Sequence, residues 1–545
     1  VIPRGTCIQF ARMMALTTML MVASDRVLIS AADDPDLARD LTRVRAYEHA
    51  RVRLIEECRP ATACMFDKGS RAGGGSGVVI DNKGYGLTNF HVIAGMMKDR
   101  VGEAGFDDGN LYEFDVLGVD PTGDVAMFRV KDRDPQRYVE LGSSSSLTVG
   151  DFTLAMGNPF LLAEDYVPTV TFGIISGLHR YQAGAGEGGR ALRYTDCIQV
   201  DTSINPGNSG GPLFDMSGRL IGINGRISLE ERGRVNIGVG YAISIDQIRR
   251  FIPAWRAGLT LKHASAGFTV RDREGGVVVD QIIEDGPAYN AGLRLGDRVD
   301  VFAGRSIRSA NQFGSYLGVF PENWPVRATI LRKGASRDIS FRLEDMPLPK
   351  MDGGADPSAP HPVTRRANEQ AIDRLIRLHR NFCGDEALLA RSTGLEMVGA
   401  RHYADTSKAR DDIDVREDRR DSIAPPPTPT AVELERAVRW MLISGPTDAW
   451  RGALSVVSSD EVDGRICAVV RGTPEGQPEF SLWFDDMDGR LLRLSFLDRQ
   501  TRREVTYDYS EFRKEDGFRF PMVRTISFDG AEYAIERMTR IKVLG

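Results

Sequence analysis

Gly207-Asn208-Ser209-Gly210-Gly211-Pro212, continuing through Leu213-Phe214-Asp215-Met216-Ser217-Gly218-Arg219-Leu220-Ile221, is the stretch on which the reading of this chain turns. A serine hydroxyl attacks a carbonyl only when a base takes its proton and fixed donors stabilise the oxyanion that forms. Glycines on both sides of Ser209 permit a tight turn in which the Gly207 and Ser209 amides point at one spot. Gly207, Asn208 and Ser209 are therefore the candidate oxyanion-hole segment, with Ser209 the candidate nucleophile.

The spacing Gly-x-Ser-x-Gly also fits a nucleophile elbow, which needs a helix directly after the serine and a histidine later in the chain. Here Pro212, the pair Leu213-Phe214, the Ser217-Gly218 turn and Leu220-Ile221 spell a hairpin instead. His263, His361, His379 and His402 follow no strand-and-loop pattern suited to the role, so the elbow is rejected.

The partners of Ser209 lie upstream. Gly75-Ser76-Gly77-Val78-Val79-Ile80, an Asn82-Lys83-Gly84 turn and Tyr85-Gly86-Leu87-Thr88 read as strand, turn and strand, delivering His91 at the end. Further on, Asp120 and Asp124 compete for the acidic role. Asp120-Pro121-Thr122-Gly123 is a turn by composition, which accounts for Asp120. Asp124 enters the apolar run Val125-Ala126-Met127-Phe128, where a buried carboxylate can hold an imidazole N–H. His91, Asp124 and Ser209, in that order, form the candidate triad.

These motifs stand in register with Ala155-Met156-Gly157-Asn158-Pro159-Phe160, Gly173-Ile174-Ile175-Ser176-Gly177 and Ile204-Asn205-Pro206, so that residues 70–255 strongly resemble the HtrA/Deg family of chymotrypsin-fold serine proteases. The resemblance implies two six-stranded β-barrels with the triad in the cleft between them. It implies His91 as general base and acid, Asp124 as its orienter, and Ser209 as the acylated nucleophile. The many short apolar runs punctuated by glycine and proline read independently as all-β. Ile204 and Ile237 match pocket-lining positions of the family and imply cleavage after small aliphatic residues; both also read as ordinary core. Asp201, the one acid before the nucleophile, is eight residues away, which argues against a pocket for Lys or Arg.

A second module, 262–346, runs Gly276-Val277-Val278-Val279-Asp280-Gln281-Ile282, then Asp285-Gly286-Pro287-Ala288 and Gly296-Asp297-Arg298-Val299. It resembles a PDZ domain, the module this family places after its protease. Such domains take an extended C-terminal peptide as an added strand. Ala266, Gly267 and Phe268 are the candidate carboxylate loop, although they depart from the family's aromatic-aliphatic-Gly-aliphatic pattern; a domain that only braces the protease is the alternative.

At 545 residues the chain has room for roughly three domains. We expect a signal peptide at 1–32, a helical segment at 33–60, the trypsin-like domain at 61–258, the PDZ domain at 262–346, a Gly/Pro-rich linker at 347–366 and a C-terminal α+β domain at 367–545. The fold class is thus mainly β and multidomain: a chymotrypsin-like double barrel, a PDZ domain, then an α+β domain with an antiparallel sheet. Met13 to Ala23 is too short an apolar run to span a bilayer, and Ser30-Ala31-Ala32 offers a cleavage site. Export to the periplasm or cell envelope follows, with a retained membrane anchor as the alternative. The helix at 33–57 is an ordinary packed helix or, by resemblance, part of a trimer.

Cys7 would leave with the signal, so the remaining cysteines are odd in number; Cys58 and Cys64 are close enough to bridge but need not. No Cys/His spacing suits a zinc site, and no metal or cofactor is expected. Net charge is −6 with both signs interspersed, which excludes a nucleic-acid footprint. Tyr181 to Gly189 is glycine-rich and reads as a flexible switching loop, Ala371 to Leu389 as helix, and 406–430 as a charged, then proline-rich loop. From about 450, alternating strands and turns predict five or more antiparallel strands, which faintly resemble the β-cradle of lipoprotein carriers. That resemblance would imply a hydrophobic groove for an acyl chain or protein segment; a structural appendage is the alternative. The reading as a whole is an exported, ATP-independent endopeptidase of unfolded proteins, homo-oligomeric and binding C-terminal peptides. The competing class is a non-proteolytic scaffold.

Overall fold

The computed structural model describes residues 35–69, 74–134, 136–158, 165–185, 191–225, 238–346, 356–384, 392, 394–418, 429–444, 450, 452–498, 501–515 and 517–544. The expected signal segment 1–32, Ile237, Pro159-Phe160 and residues 186–189 lie outside the described residues. After a helix, Pro35–Cys58, the chain forms two closed six-stranded barrels. The first contains β1 (Thr62–Asp67), β2 (Gly75–Val79), β3 (Tyr85–Thr88), β4 (Val101–Gly105), β5 (Leu111–Asp120) and β6 (Val125–Val130). The second contains β7 (Phe152–Gly157), β8 (Thr169–Ala185), β9 (Ala191–Val200), β10 (Pro212–Phe214), β11 (Leu220–Asn224) and β12 (Gly240–Ser244). Closure leaves neither sheet an unpaired edge. One continuous apolar cluster joins Val78, Leu87 and Met127 of the first barrel to Leu154, Phe214 and Ile243 of the second, so the barrels meet through buried side chains.

The hairpin read after Ser209 is β10 paired antiparallel with β11, and no helix follows the serine. One reading is corrected. Residues 181–185 are not a loop: they continue β8, where Gln182 pairs with Tyr194 and Ala185 with Ala191. Glycine and alanine there reflect composition rather than freedom, because the ladder to β9 fixes the backbone. Cys58 and Cys64 do not bridge either; both are buried free thiols, as are Cys197, Cys383 and Cys467.

A five-strand path beginning at Phe268–Arg273, with a short sixth strand beside it, forms the next sheet, and the helix Ala310–Leu317 packs beside it. The unit is fastened to the protease. The Arg305 guanidinium holds both Asp196 oxygens at 2.9 and 3.2 Å, and the Asp196 amide donates to Ser315 Oγ at 3.1 Å. Buried His263 faces Asp120 Oδ2 through Nε2 and the Gly318 carbonyl through Nδ1, each at 2.5 Å. A carbonyl and a carboxylate both only accept, so both ring nitrogens donate and the imidazole is protonated. Burial pulls the His263 pKa down, but Asp120 outweighs it and the net direction is up. A raised folded value means stabilisation that is complete below the ordinary value near 6.5 and lost as pH rises through the folded value. We therefore expect His263→Gln to lower the thermal midpoint more at pH 6 than at pH 9. A gap that is constant or widens with pH, measured by circular dichroism, would show that His263 is neutral.

The C-terminal region is a nine-stranded antiparallel sheet, in keeping with the five or more strands expected. Its first strand, Gly394–Tyr403, pairs with the last, Ala531–Leu544, and on its other side with Asp411–Asp418. The charged stretch after 406 is thus in part an edge strand, and residues 419–428 lie outside the described set. The helix read from Ala371 begins at Pro362, with proline in the first turn and His361 Nδ1 accepting from the Val363 amide at 3.2 Å. This helix belongs to two cores: Val363 and Ala367 join the protease cluster, and Ala371, Ile372, Leu375 and Ile376 join that of the C-terminal sheet.

Candidate active site

Each candidate residue sits at the end of an element whose burial fixes it. β3 ends at Thr88, and Asn89 opens the short helix Phe90–Ile93, whose Phe90 and Ile93 are buried so that His91 faces outward. The Asn89 side chain donates to the Asp124 carbonyl at 2.8 Å and ties this turn to the start of β6. Asp124 itself is left-handed, with φ of 60°, a conformation that aspartate tolerates better than most side chains.

The Asp124 carboxylate is fully enclosed and receives three hydrogen bonds. Oδ1 accepts from the His91 amide at 2.9 Å, and Oδ2 faces His91 Nδ1 at 2.8 Å. The third donor is the Tyr194 hydroxyl, 2.5 Å from Oδ2. Burial alone would raise this carboxyl, but the His91 charge and the donors from His91 and Tyr194 hold it below its usual range. An ionised carboxylate only accepts, so Nδ1 carries an imidazole proton and Nε2 is the nitrogen left for acid–base work.

The Ser209 turn is stapled to the first barrel by Ser76, a buried residue of β2. The Ser76 amide donates to the Ser209 carbonyl at 2.8 Å. The Ser76 hydroxyl donates to the Gly207 carbonyl at 2.6 Å and accepts from the Asn158 amide at 2.9 Å. Gly210 has φ of 83°, and a Cβ there would sit 2.3 Å from the Ser76 carbonyl, so no side chain fits. Gly75 touches both sides of the site: a Cβ on it would be 2.5 Å from Val92 Cγ2 and 3.0 Å from the Ser209 carbonyl. The turn that carries Ser209 therefore lies one residue's width from the helix that carries His91.

Within the turn, the Asn208 amide donates to the Asn205 carbonyl at 2.9 Å, so it is spent internally and is not a donor for an incoming oxygen. Among the described residues, the Gly207 and Ser209 amides donate to no protein acceptor. Ile204 is buried in the second barrel's core among Val200, Ala155 and Leu213, with its Cδ1 against Gly240. Ala266 and Phe268 are likewise buried, in the core of the second unit, and the Gly267 carbonyl accepts from the Ile283 amide at 2.8 Å.

Tyr194 and Ser76 were missed by the sequence reading. Each is a single polar residue in a strand, and the only signal was register: Tyr194 lies on β9, which pairs with the β8 segment taken for a loop.

A double barrel with a buried carboxylate, an imidazole bonded to it and a serine on a glycine turn defines the trypsin-like class of fold. Residues 75–223 match the trypsin-like peptidase domain family, and residues 265–343 match the PDZ domain family. The chain is 30% identical over 313 residues to the periplasmic serine endoprotease DegP of Escherichia coli K12, covering 54% of this chain and 63% of that protein. It is 38% identical over 259 residues to the serine protease PepD of Mycobacterium tuberculosis H37Rv, covering 45% and 55%. A solved structure of the HtrA-type protease AlgW with tripeptide aligns with 57% of this chain and 99% of its own, at 29% identity and TM-score 0.44. The chain thus spans under two thirds of the length of these curated relatives. It carries a trypsin-like peptidase domain followed by a PDZ domain, and over this region it is similar to proteases of the HtrA/Deg family.

Proposed function

We propose that the chain is a serine endopeptidase in which His91 takes the Ser209 proton through Nε2, Asp124 orients and stabilises the imidazolium, and the Gly207 and Ser209 amides hold the oxyanion. The observation that carries this reading is the His91 Nδ1 to Asp124 contact at 2.8 Å, beside a serine turn whose Gly207 and Ser209 amides are uncommitted among the described residues. By likeness to the periplasmic serine endoprotease named above, it works after export; the resemblance of its motifs to the HtrA/Deg family further implies action without ATP, on unfolded proteins, and as a homo-oligomer. Among the described residues, no helix is long and apolar enough to cross a membrane.

Ile204, in its apolar setting, fits a pocket for small aliphatic residues at the cut site. A peptide-library profile dominated by Arg or Lys before the scissile bond would overturn that assignment. Phe268–Arg273 is an edge strand of its sheet, open to an added peptide strand led by the Ala266-Gly267-Phe268 loop. Saturable binding of C-terminal peptides to the Ser209→Ala chain is expected; no binding would leave the unit as a brace.

The deciding experiment compares casein degradation by the chain and by Ser209→Ala. Cleavage by the first alone is expected. Cleavage by neither, with C-terminal peptides added, would favour a scaffold that keeps the fold without the chemistry.

Tyr194 supplies a finer prediction. A hydrogen bond to a charged group is worth about 1.5–3 kcal/mol, so Tyr194→Phe should cut kcat/KM roughly 10- to 100-fold. Because the lost bond acts on the orientation of His91, kcat should carry the loss and KM should hold. A loss confined to KM would show that Tyr194 serves substrate binding instead.

A further inference from the structure

The serine turn is two linked β-turns. Asn205-Pro206-Gly207-Asn208 closes through the Asn208 amide on the Asn205 carbonyl at 2.9 Å. Asn208-Ser209-Gly210-Gly211 closes through the Gly211 amide on the Asn208 carbonyl at 3.0 Å. Gly207 has φ of 105° and Gly210 of 83°, the positive values that a type II turn requires at its third residue. The peptide between the two central residues of such a turn shows its N–H on one side. In the type I alternative, where that φ is negative, the same peptide is reversed and shows its carbonyl there instead. The aim of the Gly207 amide is therefore a property of the form the first turn takes.

The two turns are not held alike. In the second, the Ser209 carbonyl accepts from the Ser76 amide at 2.8 Å and the Gly210 amide donates to the Asn224 carbonyl at 2.9 Å, so the central peptide is pinned at both ends. In the first, no backbone partner among the described residues holds the Pro206 carbonyl or the Gly207 amide. The next peptide along is held instead. The Ser76 hydroxyl accepts from the Asn158 amide at 2.9 Å, so its one proton goes to the Gly207 carbonyl, 2.6 Å away. Ser76 is itself fixed. It is fully enclosed, its carbonyl accepts from the Thr88 hydroxyl at 2.7 Å, and a Cβ on Gly157 would lie 2.7 Å from its Oγ. One residue thus grips the carbonyls of both Gly207 and Ser209, the two residues whose amides face outward.

We infer that Ser76 is the positioning residue of the oxyanion hole: its hydroxyl, through the Gly207 carbonyl, keeps the first turn in the form that aims the Gly207 amide beside that of Ser209. The inference rests on the endopeptidase reading and adds to it a residue that contacts neither His91 nor Asp124. Ser76→Ala removes the hydroxyl and keeps the amide on the Ser209 carbonyl, so the nucleophile and its own N–H stay in place.

Losing one oxyanion donor outright costs about 10²–10³ in kcat, and a donor loosened but still present should cost roughly 10- to 100-fold. That is the loss expected for Ser76→Ala on a peptide p-nitroanilide that the parent chain cleaves. KM should hold, as should the acid limb of the pH profile, which reports His91. The aldehyde of the same peptide, whose hemiacetal oxygen sits where the oxyanion forms, should bind more weakly by a matching factor. Gly207→Ala sets a Cβ against a positive φ and should show the same signature. Adding Ser76→Ala to it should cost less than about threefold more, because both act on one amide. Three results would each overturn the inference and leave the endopeptidase reading standing: kcat within threefold of the parent in Ser76→Ala, a fall in kcat with aldehyde binding undiminished, or full multiplication of the two losses. Loss of the fold in Ser76→Ala at the assay temperature, seen by circular dichroism, would make Ser76 a structural staple and overturn it too. A parent chain without activity would overturn both readings.

Discussion

Asp124→Asn is expected to lower kcat by roughly 10⁴-fold with the fold intact, the loss that follows when a triad histidine is held in the wrong tautomer. Three donors converge on the Asp124 carboxylate, from the His91 amide, His91 Nδ1 and the Tyr194 hydroxyl. An asparagine offers one oxygen and one NH₂. If the oxygen takes the His91 amide, the NH₂ faces Nδ1, which must then accept, and the imidazole proton moves to Nε2. The lone pair that would take the Ser209 proton is gone. If the amide is flipped, its NH₂ opposes the His91 amide, which cannot turn away. Asparagine tolerates the left-handed backbone of this position, so strain does not confuse the result. The companion variant Asp120→Asn, which removes the charge facing buried His263, should leave kcat within about tenfold of the parent, since it acts on that pair and the fold and not on His91. Single-turnover kinetics on a peptide substrate would check both. Equal losses in the two variants would mean that Asp124 acts through the fold and not through His91.

The contrast between those two aspartates shows what the sequence could and could not convey. Asp124 was legible because the apolar run after it marks a strand entering a core. Asp120 was assigned to a turn, and it does accept from the Thr122 and Gly123 amides at 3.0 and 2.8 Å. Its other oxygen, however, meets His263, 143 positions away, a pairing no local pattern announces. Ser209, His91 and the barrels were readable for the same local reason: each motif carries its own turn. Tyr194 and Ser76 act across strand pairings and were not.

The C-terminal sheet shows the same limit from another side. Asp411-Asp412-Ile413-Asp414-Val415-Arg416-Glu417 alternates as a strand should, with Ile413 and Glu417 buried. Because the inward set includes a glutamate, the stretch read as a solvated charge run. Its partners are Arg436 and Arg439 on the helix Ala431–Ser444, so only Ile413 and Val415 declared the inward face. The opening turns of the helix Pro362–Cys383 were missed because Arg365, Arg366, Asn368, Glu369 and Gln370 are polar, while the residues buried between them serve the protease core.

The junction between that helix and the barrels gives the largest expected effect on stability. Arg256, in the helix Ile252–Arg256, is 8% exposed in its side chain and donates to Asp486 Oδ2 at 2.8 Å. Its second nitrogen lies 3.6 Å from Asp81, and its guanidinium sits 5.2 Å from the Tyr85 ring centroid. Arg374, from the helix shared by the two cores, donates to the other Asp486 oxygen and to its backbone carbonyl, each at 2.7 Å. One buried carboxylate thus joins the first barrel, the helix after the second barrel and the C-terminal sheet. Removing one partner of such a buried pair costs about 3–5 kcal/mol, because the other charge is left uncompensated. Arg256→Met keeps the length and packing of the stem, so its loss should report the charge and not the volume. We expect a thermal midpoint lower by roughly 10 °C at neutral pH. Burial pushes the Asp486 carboxyl up, but Arg256 and Arg374 hold it below its ordinary 3.8. A depressed carboxylate contributes stability that is present above the unfolded value and lost as pH falls through the folded one. The gap between parent and Arg256→Met should therefore be full at pH 7 and close as pH falls below the ordinary carboxylate range. If the gap is small at neutral pH, the C-terminal sheet is hung on the protease and not built into it. If it is large, a chain cut after residue 346 should lose protease stability as well, because Val363 and Ala367 complete the barrels' shared core.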